Sequence, residues 1–548
     1  MKKTTLICLL IIFTALAAFI IAACEKNHDF GSWKMNTDST CTEEGEEIRT
    51  CRSCGETETR AIPPYGHDEI WIIDREATCT KNGEKHKECK VCGEILATEV
   101  IKGDHNYMIE ERREPMGSTD GYIRYTCDRC GDSYDDILAA SPAPVSVWNG
   151  TDEVKPTSLV RIDDIYYYEI NSAAELAYLH NETEINNYSL NCDIVLNDKK
   201  LYYNEEGELV PNASSLNHWT GFICNRFRGN GYKISGLYST KSGLIYEAKG
   251  DITDLTVENA YINIQLKKGD RDYVGGICNS LGGSYYALGS VNCKKAEYCS
   301  FSGAIICSCD DTVFIDGDRS MEFSSDINLG GLFGYVGSME TIISHCECYG
   351  LIKAINLNYN NHGCDIGGIV YDCQNINNCV NYATIKSETE GFFGCGGILA
   401  NSMGEVNNCT NYGEIIGQVV GGICGMNNGH SKCLNSVNYG NITATSVCGG
   451  IAGRNYGKIA DSDNYGDVTG TTNVGGVCGE NRSSITSSNN HAQVKGETNV
   501  GGVIGKHEFM KDGAEVSACG FVVTDDINDG LYGIGNMSSN EECTILHE

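Results

Sequence analysis

The sequence predicts a mainly β chain. Its larger part reads as a right-handed parallel β-helix, a β-solenoid, with a short N-terminal capping helix. Small β-hairpin cysteine-ribbon repeats precede it. Three observations carry this expectation. A Gly-Gly-apolar phrase recurs from Gly275-Gly276 to Gly501-Gly502, and its spacing settles near 26 residues toward the C-terminus. A second phrase runs in register with it, as "CVNYATI" from Cys379, "CTNYGEI" from Cys409, "SVNYGNI" from Ser436 and "SDNYGDV" from Ser462. Upstream, a Cys-x9-Cys-x2-Cys-Gly pattern occurs twice, from Cys41 and from Cys79.

A short fixed period marks a solenoid, propeller or array. Each unit holds two short apolar segments separated by Asn/Gly punctuation, with no room for a ten-residue helix. A propeller blade needs four strands and about 40 residues, so one β-helix coil per unit fits better. Glycine is frequent (64) and proline rare (7), as suits a corner-rich β structure. The glycines of the pairs and of Asn-Tyr-Gly are expected to supply positive φ at the corners. Cys299, Cys346, Cys379 and Cys409, continued by Ser436, Ser462 and Ser488, share one repeat position. They are expected to form an inward column of small side chains.

The expected order along the chain is as follows. Residues 1–23 form a lipoprotein signal peptide. Residues 24–137 form ribbon repeats (28–67, 67–105 and a degenerate 105–137). A linker covers 138–147, and 148–245 form the N-terminal cap and first coils. Repeats fill 246–506, and 507–548 cap the far end. Ser172, three residues before Glu175, signals the start of the capping helix.

The repeated "GG[IV]xG…NC…NYGxI", with "GGLFGYVG" at Gly330–Gly337, resembles the GLUG-motif repeats of bacterial surface proteins. "VWNGT", "YYYEINSAAELAYL" and "FRGNGYKISGLY" are similar to that family's lead-in. The resemblance covers roughly Val147 to Lys506. It implies a structural module and no chemistry. The cysteine repeats are similar to modules that accompany surface proteins of anaerobic gut bacteria.

The first 24 residues place two lysines before a long apolar run that ends in "IAAC". This layout is secretory, and "IAAC" resembles the lipobox of bacterial lipoproteins. That resemblance implies lipidation of Cys24 and anchorage on the outer face of the cell membrane. An uncleaved membrane anchor is the alternative.

In the ribbons, a Cys-x-x-Cys-Gly turn can aim two thiolates at one ion, and a third cysteine and a histidine can complete a tetrahedral shell. The candidate ligands are Cys41, Cys51, Cys54 and His67 in one copy, and Cys79, Cys89, Cys92 and His105 in the next. His28 and His67 could equally serve from upstream. The third copy, with Cys127 and Cys130 alone, is expected to bind nothing. Structural zinc competes here with disulfides and free thiols.

Formal net charge is −33. Such a surface repels nucleic acid and anionic headgroups and favours Ca²⁺ or basic partners. No His-Glu-x-x-His occurs, since Lys511 stands where "HEFM" from His507 would need its second histidine. Neither a Gly-x-Ser-x-Gly nor a P-loop is present. Asp254, Asp311, Asp316 and Asp365 form no pattern on one face. The expectation is an exported binding protein for an extracellular glycan or surface protein, not an enzyme. A glycan-active β-helix enzyme, lyase or hydrolase, is the alternative. Tyr382, Tyr412, Tyr439 and Tyr465 of the Asn-Tyr-Gly phrases, with their asparagines, are the candidate ligand contacts.

Overall fold

The computed structural model describes residues 28–546, apart from 76–81, 102–104, 106, 129, 267–271, 284–292, 310–326, 356–363, 389–393, 509–513, 525–526 and 538–542. The chain divides into two units. One holds residues 28–112 and 122–136, and the other 113–121 and 137–546.

The first unit consists of three small sheets of three strands each. The first two are antiparallel: Lys34–Thr37, Gly45–Thr50 and Thr57–Ile62, then Glu69–Arg75, Gly83–Cys89 and Ile95–Ile101. Their cysteines are among the few buried side chains, because sheets this small have little apolar surface to enclose.

In the second unit, successive coils stack through parallel strand pairs. Each coil has more strand segments than the two the sequence suggested. The coil from Ala452 to Gly475 has five: Ala452–Asn455, Lys458–Ala460, Asp463–Asn464, Val468–Gly470 and Thr472–Gly475. Columns of like side chains fill the interior. One runs Leu399, Cys424, Ala452, Cys478, Ile504 in register. Another runs Ile385, Ile415, Ile442, Val468, Val494. Each apolar residue buries against its counterpart one coil away, which is why the phrase must recur.

The glycine pairs have a different role from the one expected. Positive φ falls instead on Asn378, Asn408, Asn435, Asp461 and Ser487, at 48–52°. Asn and Asp tolerate that region through local hydrogen bonding. The second glycine of each pair is there for close approach. A Cβ on Gly368 would lie 1.9 Å from the carbonyl oxygen of Gly397, and one on Gly422 would lie 1.9 Å from that of Gly450.

The residue after each positive-φ corner is the cysteine or serine of the predicted column, and the structure buries all of them. Each donates to the carbonyl two residues back. Cys346 bonds Ser344 O at 3.2 Å, Cys379 bonds Asn377 O at 3.3 Å, and Ser436 bonds Leu434 O at 2.8 Å. The two residue types can replace each other in the column because both are small and carry a donor. Burial holds the Cys299, Cys346 and Cys379 thiols well above the ordinary range. Thiolate is the reactive form. Native protein at pH 8 is therefore expected to leave these thiols unlabelled by iodoacetamide, while urea-unfolded protein labels all of them. Rapid native labelling would show the column to be open to solvent.

A short helix, Ala173–Tyr178, covers the first coils. Ser172 Oγ accepts from Glu175 N at 3.2 Å. Two boundaries differ from expectation. The solenoid begins inside the expected linker, because Val145–Val147 already pairs in parallel with Asp193–Val195. At the far end, Val516–Ser517 and Cys519–Val522 continue the parallel ladders on Ser484–Thr486 and Asn489–Asn490. The tail is thus a degenerate further coil. Cys519 keeps the column's bond, to Ser517 O at 3.2 Å.

Candidate metal centres and an exposed tyrosine stack

Three groups of cysteine and histidine could hold a metal ion: His28, Cys51 and Cys54; Cys41, His67, Cys89 and Cys92; and His105, Cys127 and Cys130. Within each group the ligand atoms lie within 4.8 Å of one another. The Cys-x-x-Cys-Gly turn builds each half-site. Gly55 N and Gly93 N bond back to the carbonyls of Cys51 and Cys89 at 2.9 and 2.8 Å, with the glycines at φ 78° and 71°. Positive φ is required here, and glycine takes it without strain.

The grouping corrects the assignment by repeat. The histidine upstream of each turn closes the site, not the one downstream. His28 Nδ1 lies 3.4 Å from Cys54 Sγ, and His67 Nδ1 lies 3.5 Å from Cys92 Sγ. Cys41 leaves its own copy and joins the next, with its Sγ 3.5 Å from that of Cys89. The third copy, expected to bind nothing, brings His105 Nδ1 within 3.1 Å of Cys130 Sγ. Cys79, the counterpart of Cys41, lies outside the described residues. The edges of a tetrahedral shell with bonds of about 2.0–2.3 Å are roughly 3.3–3.8 Å. The Cys41–Cys89 and His67–Cys92 separations, 3.5 Å each, match that size.

A further partner recurs in every repeat and escaped the sequence reading. The other ring nitrogen of His28, Nε2, lies 3.6 Å from Glu56. His67 Nε2 lies 3.7 Å from Glu94, and His105 Nε2 lies 3.6 Å from Asp132. A carboxylate on the far nitrogen fixes the tautomer that turns Nδ1 toward a metal. Its signal was the acidic residue directly after each Cys-x-x-Cys-Gly. Electrostatics favour the thiolate at two of these cysteines and oppose it at Cys41. The Ser53 hydroxyl lowers the Cys51 thiol to about 6, and the Cys92 backbone N–H lowers Cys89 to about 6. Desolvation, with Cys89 and Cys92 beside it, pushes Cys41 up to about 12. No disulfide joins the described cysteines.

On the solenoid, the four candidate tyrosines stand in one stack, extended at both ends. Tyr349, Tyr382, Tyr412, Tyr439, Tyr465 and His491 follow one another with ring centroids 4.4–5.1 Å apart and planes within 15°. The tyrosines are 36–49% exposed. Their faces cover one another, so ring edges and hydroxyls line the surface. The neighbouring asparagines are not ligand contacts. Asn381, Asn411, Asn438, Asn464 and Asn490 are fully buried. Each side-chain amide from Asn381 to Asn464 donates to the oxygen of the next at 2.7–2.8 Å.

No protein-family model matches the chain, and no curated protein does. Among solved structures, an IgA1 protease aligns with 91% of this chain and 30% of its own length, at 12% identity and a TM-score of 0.31. Cys24 lies outside the described residues. Among the described residues, no helix is long and apolar enough to cross a membrane.

Proposed function

We propose that this is an exported, lipid-anchored bacterial surface protein of the GLUG-repeat type. In this reading, zinc-clamped ribbons carry a β-solenoid that binds an elongated extracellular glycan or protein along its tyrosine stack. The observation that carries the binding reading is the stack itself. Five exposed tyrosine rings at a near-constant step present a line of hydroxyls, and many weak contacts along such a line add through effective concentration. Because the ring faces are mutually covered, recognition falls to edges and hydroxyls, which donate to and accept from regularly spaced polar groups. Zinc is the metal of choice for sets of thiolate and imidazole at tetrahedral spacing. The signal-like N-terminus and its "IAAC" support export and Cys24 acylation. Nucleic acid is disfavoured by the charge of −33.

Screening the chain without its signal segment on glycan and surface-protein arrays tests this reading. Changing Tyr382, Tyr412, Tyr439 and Tyr465 together to serine is expected to abolish the strongest array signal, with far-UV spectrum and Tm retained. Binding that survives the fourfold change would remove the stack from the site.

A further inference from the structure

We propose that Asp365, Asp372 and the side-chain oxygen of Asn401 form a site for a hard divalent cation of the Ca²⁺ class. The three residues sit beside one Gly-Gly corner. Asp365 lies on the strand Cys364–Gly367 and Asp372 on Val370–Asn377. Asn401, one coil further on, pairs in register with Asp372. Asp365 accepts from Gly394 N at 2.5 Å and from Asn401 Nδ2 at 3.4 Å, so the amide of Asn401 is held against this carboxylate. Asn401 is only 7% exposed, yet its Oδ1 has no hydrogen-bond partner. A buried amide oxygen without a donor is costly and calls for one. Asp372 is half-buried and accepts no hydrogen bond from any described residue.

The same face shows how this chain otherwise treats a buried carboxylate. Further along the register, Glu480 is 8% exposed and is met by Arg454 Nε at 3.3 Å and Arg482 at 2.8 Å. Among the described residues, no arginine pairs with Asp372. Its position is matched by an asparagine, which supplies oxygen rather than positive charge. Two carboxylates and an amide oxygen are an oxygen-only donor set, so soft metals are disfavoured. The donors come from three strands with no fixed octahedron, which suits the flexible shell of Ca²⁺ better than that of Mg²⁺; water would fill the remaining positions. Burial and the neighbouring Asp365 raise Asp372 to about 7. A nearby cation would reverse that shift.

The test uses the full chain without its signal segment, zinc-loaded and freed of calcium. Tb³⁺ stands in for Ca²⁺, with luminescence excited through tyrosine, since Tyr371 adjoins Asp372 in sequence. One equivalent of sensitised Tb³⁺, displaced by Ca²⁺, is expected. Asp372→Asn should weaken Ca²⁺ binding by roughly tenfold or more while the Tm without calcium stays level or rises. Asn401→Asp adds a third carboxylate. It should lower the Tm without calcium and widen the gain on adding calcium, a reciprocal effect that a packing defect would not give. Calcium affinity unchanged in Asp372→Asn, or no calcium-dependent gain in Asn401→Asp, would overturn the proposal.

Discussion

On the proposed zinc reading, serine in place of Cys41 is expected to abolish metal binding at the second ribbon and leave the first untouched. Cys41 belongs to the first copy by sequence, but its thiol stands with His67, Cys89 and Cys92. Metal counting by native mass spectrometry on the full chain should therefore group the variants by site. Cys41→Ser and Cys92→Ser should each lose one ion, and the double variant should lose no more. Cys41→Ser with Cys54→Ser should lose two. The effect is large because a structural zinc contributes apparent binding energy of about 10–16 kcal/mol to folding. Limited proteolysis should then cut the second ribbon in Cys41→Ser and the first in Cys54→Ser. If Cys41 and Cys54 report on the same ion, the metal is held within each repeat and the grouping fails.

Gly422→Ala is expected to damage the solenoid far more than its single methyl suggests. The added carbon would lie 1.9 Å from Gly450 O and 2.4 Å from Asn438 Cγ. Both neighbours belong to the stacked framework, and neither can swing aside. A cost of about 3–5 kcal/mol, beyond the usual range for overpacking, follows from moving backbone rather than a side chain. Gly429→Ala is the control, since its new carbon would find nothing nearer than Tyr456 O at 3.8 Å. Urea unfolding should separate the two variants clearly. Equal midpoints would mean that the coils are looser than the structure shows.

The architecture was legible because a stacked fold writes its contacts as a period. Leu399, Cys424, Ala452 and Cys478 differ in type but hold the same station in each unit, and spacing alone reveals that. The column from Cys299 to Ser488 was legible for the same reason. What spacing could not reveal was which way a corner residue faces. Asn438 and Tyr439 are neighbours in one phrase, yet one is buried and the other exposed. The phrase by itself suggests a surface position for both. Repetition also misled at the candidate metal centres: a repeat in sequence suggests a site within each copy, whereas Cys41 reaches into the next. Contacts made once, without a period, were invisible. Leu201, Tyr203 and Leu209 fold over Tyr261, Ile306 and Leu351 and give the solenoid a small outer core. Asp365 stands out in no sequence pattern, and nothing in the sequence places Asp372 and Asn401 beside it.

The buried asparagine ladder has a consequence for how such a chain can change over generations. Every rung from Asn381 to Asn464 gives one hydrogen to the rung after it. Each coil therefore offers the same acceptor on one side and the same donor on the other. Copying one coil, or losing one, joins surfaces that already fit, and only the two ends need special residues such as Phe521, which stands where the next rung would be. Length is then the property most easily altered by recombination within the gene.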